Sequence, residues 1–194
     1  MRKYAVAALM AGMLAGSIGL AQGAQRLSAG GATSIPYGHL DLCKRYPQQC
    51  GAHRVMPPVA LSDVRWGKME RINQSVNASV APKSDQDNYG KRDYWTMPAK
   101  RMGDCEDYVL MKRARLLAQG FSASQLLITM VRNRGEAHIV LTVRTDKGDF
   151  VLDNLRNEIL PVEKTGYNYV KMQAPNHSGR WVAISGHATE IASN

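Results

Sequence analysis

The strongest constraint on the fold is a run of short apolar segments separated by turn residues in the second half of the chain. Residues 126–132, 137–144 and 149–153 have the length and composition of β-strands, and Asn-Arg-Gly and Asp-Lys-Gly clusters separate them. Connections this short exclude crossovers between parallel strands and therefore predict antiparallel pairing. Two further strands are predicted, at residues 167–172 and 181–185.

Two helices are predicted upstream of these strands. Residues 62–80 place apolar side chains at helical spacing, between a Ser-Asp cap and a proline. The second helix is predicted to begin at Cys105, with Asp104 as its N-cap, and to end before Gly120. Its predicted apolar face comprises Leu110, Ala114 and Leu117. Residues 81–93, between the helices, are polar and are predicted to form a mobile loop. Helices followed by antiparallel strands predict an α+β fold.

The position of Cys105 in the first helical turn suits a reactive thiol. Free backbone N–H groups and the helix dipole favour the thiolate there, and they suit the oxyanion that forms when a thiolate attacks a carbonyl carbon. The carboxylates of Asp104, Glu106 and Asp107 oppose this effect, since like charge raises a thiol pKa. A cationic partner or a metal ion would be needed to offset them. A buried, inert cysteine is the alternative interpretation.

A histidine and an aspartate on adjacent predicted strands suit a base and its orienting group. His138 begins one strand and Asp153 ends the next, so a hairpin brings both to one end of the sheet. They face each other if the turn centres near residues 145–146, and they are three or four positions apart if it centres on Lys147. With Cys105, they would form a catalytic triad for thiol acyl transfer. Each residue also fits a structural role: His138 as a histidine at the end of a strand, and Asp153 as a turn cap.

The other two cysteines, Cys43 and Cys50, bracket a short turn. In an oxidising compartment, cysteines this close normally form a disulfide. The alternative is a zinc site that adds His39 and His53, although the spacing fits no common zinc module. Without a metal, these two histidines are predicted to be solvated loop residues, like the two nearest the C-terminus, His177 and His187.

The N-terminus has the pattern of an export signal. Residues 1–23 combine a positive start, an apolar stretch and small residues before a cleavage point, which predicts a cleaved signal peptide and a periplasmic or secreted protein. An uncleaved anchor would need a longer apolar segment. Residues 24–194 are predicted to form one domain, for which a hydrophobic content of 44% is sufficient. The net charge of +9 includes no run of five like charges, so no nucleic-acid partner is expected.

Four sequence blocks occur in order along the chain: Trp95-x-x-Pro98, Gly103-Asp-Cys-Glu-Asp-Tyr108, His138-Ile-Val-Leu141 and Val151-Leu-Asp-Asn154. Together they resemble the bacterial transglutaminase-like cysteine peptidases over about residues 40–185. The resemblance implies a papain-like or transglutaminase-like fold, in which a helix carrying the cysteine packs on an antiparallel sheet. It also implies that Cys105 is the nucleophile, His138 the base and Asp153 the third member of the triad.

The same resemblance implies a substrate, a metal ion and a partner. Well-understood relatives are periplasmic, calcium-dependent endopeptidases that cleave surface adhesins and are controlled by an inner-membrane receptor. Their calcium ligands correspond to Asp104 and Glu106, and calcium takes hard oxygen ligands of this kind. The chemistry itself would require no cofactor.

Two other functions remain open at this stage. If an amine rather than water resolves the thioester, the protein is a protein-glutamine transglutaminase. If Cys105 is unreactive, the protein is a non-catalytic periplasmic binding protein that retains the fold.

Overall fold

The computed structural model describes residues 24–98 and 100–185. The predicted signal peptide and His187 lie outside these residues. The described part contains four helices: α1 (Tyr37–Arg45), α2 (Asp63–Ser79), α3 (Asp85–Tyr89) and α4 (Cys105–Ala118). Its strands are β1 (Ser28–Thr33), β2 (Ala81–Pro82), β3 (Met102–Gly103), β4 (Leu126–Asn133), β5 (Glu136–Thr145), β6 (Gly148–Asp153), β7 (Arg156–Pro161), β8 (Asn168–Ala174) and β9 (His177–Ser185). None of these helices has the length and apolar character needed to cross a bilayer.

Seven of the strands form one sheet in the order β1-β9-β8-β4-β5-β6-β7. Every neighbouring pair is antiparallel, which confirms the pairing predicted from the short connections. The outer strands β1 and β7 were not predicted, because neither has a continuous apolar or alternating pattern. The mixture of helices and an antiparallel sheet confirms the α+β class.

The two central strands, β4 and β5, are buried on both faces. Alternate side chains along them enter two separate apolar clusters. Ile128 and Leu141 join the cluster packed with α2 and α4, and Leu127 and Val140 join the cluster on the opposite face. Burial on both faces explains why the sequences of β4 and β5 are almost continuously apolar rather than alternating.

Helix α2 holds the turn that follows β6. The side chain of Ser62 caps the helix by accepting from the backbone N–H of Arg65. The buried amide of Asn73 donates to the carbonyl oxygens of Arg156 and Asn157, at 3.2 and 3.0 Å. One turn later, the amide of Asn77 donates to the carbonyl of Asp153 at 3.0 Å. These bonds fix the end of β6, which carries a predicted site residue.

The segment predicted to be a mobile loop contains secondary structure, so that prediction was wrong. Residues 81–82 pair in parallel with β3, and residues 85–89 form α3. Ser84 caps this short helix through a bond from the backbone N–H of Asp87, and Gly90 ends it at φ +65°. A helix of about one turn built from polar residues has no apolar periodicity from which it could have been predicted.

Helix α1 was not predicted, and it changes the interpretation of the cysteine pair. Cys43 and Cys50 form a disulfide with a Cα–Cα distance of 5.5 Å, so the thiolates that the zinc alternative needs are absent. His39 is buried in α1, and its Nδ1 accepts from Nε1 of Trp181 at 3.0 Å. Burial, aided by the charge of Arg113, lowers the pKa of His39 to about 4, so the ring is a neutral acceptor.

The prediction of solvated loop positions was therefore wrong for His39, and it was also wrong for His177, the half-buried first residue of β9. His53 is half-buried in an irregular segment. The predicted apolar face of α4 is only partly covered. Leu110 is buried, but Ala114 is exposed and Leu117 is 36% exposed.

We predict that Asn73→Ala lowers the free energy of unfolding by about 1–3 kcal/mol, because it removes the two hydrogen bonds that the fully buried Asn73 amide donates to the carbonyl groups of Arg156 and Asn157. Urea unfolding at neutral pH measures the change. Gln74→Ala, at an exposed position on the same helix, is the matched control and should change stability by less than about 0.5 kcal/mol. Equal effects of the two substitutions would contradict the role given to Asn73.

Candidate active site

Cys105 is the first residue of α4 and a free cysteine. Its sulfur lies 3.3 Å from Oε2 of Glu106, to which the thiol donates, and it also lies beside the backbone N–H of Ile139. Burial, reinforced by the negative charge of Glu106, raises the pKa of this thiol well above its usual range. The opposing effect of the carboxylates that was expected from the sequence is present in this structure, where it adds to the larger effect of burial.

Three carboxylates meet next to the thiol. Asp85, Asp104 and Glu106 each offer an oxygen atom, and these atoms lie within 4.8 Å of one another. Burial and the neighbouring Asp104 charge raise the pKa of Glu106 to about 10, and burial also raises the pKa of Asp85. Oδ1 of Asp85 and Oδ1 of Asp104 are buried without a hydrogen-bond partner in the described part of the chain. Buried, unpartnered carboxylate oxygens suit a hard divalent cation such as calcium.

The structure changes the expected N-cap role of Asp104 and places Asp85 beside the predicted pair of calcium ligands, Asp104 and Glu106. Asp104 stands at the N-cap position of α4, but its side chain makes no capping bond and instead accepts from the backbone N–H of Asp85 at 3.2 Å. Asp85 was not predicted as a site residue. It lies 19 positions before Asp104, in the segment expected to be a loop, and no sequence spacing connects the two.

A fourth carboxylate, Asp107, fixes the chain that leads into α4. It is fully buried, and its Oδ1 accepts from the backbone N–H of Thr96 at 3.0 Å. Burial raises the pKa of Asp107 to about 8. A Cβ atom at Gly103 would lie 2.3 Å from Oδ2 of this carboxylate, so only glycine allows the close approach.

His138 and Asp153 are in direct contact. Nε2 of His138 lies 2.9 Å from Oδ1 of Asp153. His138 is 7% exposed and Asp153 is 0% exposed. The hairpin pairs Thr145 with Gly148, so its turn is formed by residues 146–147. This register lies between the two that were considered. It places His138 and Asp153 two positions apart on one face of the sheet, which is a diagonal pair within side-chain reach.

Asp153 accepts hydrogen bonds from several directions. The backbone N–H of Leu155 donates to its Oδ1 at 3.0 Å, the hydroxyl of Tyr167 donates to its Oδ2, and Nε of Arg156 lies 3.7 Å away. Burial alone would raise the pKa of Asp153, but the bonds from His138 and Tyr167 hold it below its usual value. Asp153 is therefore an anion at neutral pH.

Tyr167 is a site residue that sequence reasoning missed. Its ring also stacks edge-on against that of His138, with 5.8 Å between the centroids. Burial and the bond to Asp153 raise the pKa of Tyr167 to about 12, so the hydroxyl remains a donor. A tyrosine at the start of a predicted strand carries no sequence signal of contact with residues 14 and 29 positions earlier.

The sulfur of Cys105 is thus beside the residue that follows His138 on β5. Nε2 of His138 lies against Asp153, so a proton from another group would have to reach the ring at Nδ1. On its open side, Cys105 lines a cleft of about 650 Å³, whose walls include Lys83, Ser84 and Asn154. The arrangement combines a helix-borne thiol, an oriented imidazole and access from solvent, which are the requirements for nucleophilic attack on a carbonyl.

The structure has a cysteine at the start of a helix, and this helix packs on an antiparallel sheet that carries a hydrogen-bonded histidine and aspartate. This is the architecture of the papain-like and transglutaminase-like cysteine enzymes. The family model for the bacterial transglutaminase-like cysteine proteinases matches residues 29–189. The chain belongs to this family.

Solved structures of LapG from Legionella pneumophila are similar to this chain. One is 27% identical with a TM-score of 0.52, and the match covers 61% of this chain and 69% of LapG. Calcium-bound LapG is 24% identical with a TM-score of 0.53, covering 69% and 77%. EGTA-treated LapG is 25% identical with a TM-score of 0.52, covering 66% and 74%. The comparison with curated proteins found no match. The predicted transglutaminase-like fold is confirmed.

We predict that Asp153→Asn lowers the free energy of unfolding by about 2 kcal/mol at pH 7, because buried charge-assisted hydrogen bonds are weakened. The pKa of Asp153 is depressed by folding, so its contribution is complete above the unfolded-state pKa. It is lost as the pH falls through the folded-state value. The difference between the two proteins should therefore shrink below about pH 4.

Urea unfolding at several pH values between neutrality and acid measures this difference. Asp63→Asn is the control, because it makes the same change from aspartate to asparagine at an exposed position of α2 and removes no buried contact. A difference between wild type and Asp153→Asn that stays constant or grows below pH 4 would contradict the depressed pKa.

Proposed function

We propose that this protein is an exported cysteine endopeptidase that acts through a thioester acyl-enzyme, with Cys105, His138 and Asp153 as its triad. The observation that carries the proposal is the bonded pair of His138 and Asp153 at the point of β5 where the Cys105 thiol lies. Membership of the cysteine proteinase family supports the reaction class.

Each residue has a defined step in the proposed reaction. The sulfur of Cys105 attacks the scissile carbonyl carbon, and its proton passes to Nδ1 of His138. The imidazolium then protonates the leaving amine as the tetrahedral intermediate collapses to a thioester. Water, activated by the neutral imidazole, hydrolyses the thioester and releases the thiol. Asp153 holds the ring through Nε2 and stabilises the imidazolium, and Tyr167 orients Asp153.

The N-terminus of α4 is the proposed source of oxyanion stabilisation. The intermediate places its negative oxygen next to the attacked carbon, within reach of the backbone N–H of Cys105. This group belongs to the first turn, where N–H groups have no partner within the helix. The adjacent carboxylates work against the same negative charge, so their charge must be compensated during catalysis.

We propose that calcium provides this compensation, held by Asp85, Asp104 and Glu106. The unpartnered oxygens of this cluster fit a hard cation, and LapG has a structure described as calcium-bound. When bound, calcium supplies positive charge that lowers the pKa of a neighbouring thiol. Relief of the repulsion among the three carboxylates would also stabilise the start of α4.

The proposed substrate is a protein at the cell surface, and the proposed location is the periplasm or the exterior. These proposals rest on the family resemblance, which implies a surface adhesin as substrate and an inner-membrane receptor as regulator. They also rest on the signal-peptide pattern of residues 1–23. The open cleft beside Cys105 is compatible with an extended polypeptide rather than an enclosed small molecule.

We predict that Cys105→Ala abolishes peptide-bond cleavage, because no other free cysteine lies in the described residues. Wild type and variant are incubated with a peptide library in calcium, and new termini are identified by mass spectrometry. His138→Ala should lower the rate by at least about 100-fold. Equal melting temperatures for wild type and Cys105→Ala would show that folding is retained. Cleavage that survives in Cys105→Ala would overturn the proposal.

A glutamine-donor peptide and a fluorescent amine, added to the same reaction, distinguish hydrolysis from amine transfer. We expect cleavage products without incorporated label. Incorporation of the amine that is lost in Cys105→Ala would show transglutaminase activity and would overturn the peptidase assignment, although the same thioester would form.

We predict that calcium accelerates alkylation of Cys105 by iodoacetamide by at least about tenfold relative to EGTA, since each fall of one in pKa raises the thiolate fraction about tenfold. Asp85→Asn should reduce the acceleration. Asp63→Asn is the control, because Asp63 is an exposed aspartate of α2 that lies outside both the cluster and the cleft. Equal rates in calcium and EGTA would contradict the calcium proposal and leave the triad untouched.

A further inference from the structure

A second cavity, of about 430 Å³, lies against α4 and involves none of the three triad residues. One wall consists of Leu110, Ala114 and Leu117, the apolar face that was predicted for α4. Leu110 is buried in the core, but the rest of this face is open: Ala114 is exposed, Leu117 is 36% exposed, and Met97, which also lines the cavity, is 41% exposed. An apolar helical face that lines a cavity of this size has the character of a small-molecule site.

The cavity contains one charged group that has no counterion. The guanidinium of Arg113 lines it, donating from Nε to the carbonyl of Leu126 at 3.1 Å and from one terminal nitrogen to Oγ of Ser178 at 3.0 Å. Both acceptors are neutral. Within residues 24–98 and 100–185, Arg113 forms no ion pair, and no aspartate or glutamate lines the cavity.

An unpaired guanidinium in a partly buried position is costly, because desolvation is not repaid by an opposite charge. Burial lowers the pKa of Arg113 to about 10, a value at which the group remains cationic at neutral pH. The other ionisable group in the wall is His53. Its pKa is lowered by burial and then by the charge of Arg113, so the imidazole is neutral at pH 7. The cavity therefore presents a single positive charge next to an apolar surface.

We propose that this cavity binds a small monocarboxylate with an apolar body. The carboxylate would pair with the guanidinium of Arg113, whose planar donors match its two oxygens, and the hydrocarbon would cover Leu110, Ala114 and Leu117. A compact inorganic anion would leave the apolar wall uncovered, and a neutral ligand would leave Arg113 without a counterion. This site is separate from the proposed peptidase centre, although both are built on α4.

Isothermal titration calorimetry of the whole protein with phenylacetate tests the proposal. Phenylacetamide has nearly the same shape without the charge, and acetate has the charge without the apolar body. We expect saturable binding of phenylacetate, with both comparison ligands at least about tenfold weaker. Phenylacetamide binding as tightly as phenylacetate would overturn the role of charge. Acetate binding as tightly would overturn the role of the apolar wall, and the absence of phenylacetate binding would overturn the proposal as a whole.

Three variants locate the binding. Arg113→Met removes the charge and should weaken phenylacetate binding by at least about tenfold. Arg115→Met, on the exposed side of the same helix, is the matched control and should leave binding unchanged. Ala114→Trp fills the cavity from an exposed position without removing the bonds of Arg113. It therefore tests the site even if Arg113→Met fails to fold. Unchanged binding in Ala114→Trp, or in a folded Arg113→Met, would overturn the proposal.

Discussion

The cluster of acidic side chains at the start of α4 determines most of what this protein can do. Asp85, Asp104 and Glu106 place their oxygens within 4.8 Å of one another, and the cluster adjoins the thiol of Cys105. Helix geometry alone would favour a thiolate at this position, but burial and the Glu106 charge raise the thiol pKa instead. The dipole of one helix is equivalent to about half a charge, so it cannot offset several carboxylates. In our proposal, a bound cation switches the nucleophile from its protonated to its ionised form.

Much of the fold could be predicted from the sequence because its elements have local signals. The turn clusters around β5 fixed the antiparallel pairing, and apolar spacing with a Ser62 cap predicted α2. The sequence allowed more than one register for the hairpin, and not every register brings His138 and Asp153 into contact. The structure has a diagonal register, because the turn is formed by residues 146–147. A shift of the turn by one position changes which side chains of β5 and β6 meet. The composition of the turn does not specify its position to within one residue.

The elements and residues that were missed depend on contacts distant in sequence. Asp85 joins the acidic cluster only because α3 packs beside β3, and Tyr167 reaches Asp153 across the end of the sheet. His39 is buried because Trp181 supplies a donor 142 positions later. The apolar face of α4 was predicted from periodicity alone. In the structure Leu110 of that face is buried, together with Val109 and Leu116 outside it, whereas Leu117 lines a cavity. Periodicity shows that a face is apolar, but not what covers it.

The sulfur of Cys105 contacts the Ile139 amide of β5, and this wall of the cleft is stiffer than the opposite wall. Strand β5 lies between β4 and β6 and is buried on both faces, so its amide protons should exchange with solvent only when most of the molecule opens. The opposite wall includes Ser84 and Asp87, exposed residues at the start of the five-residue helix α3. A bound polypeptide would therefore adjust the cleft through the exposed side chains of α3, while the sulfur kept its position beside β5.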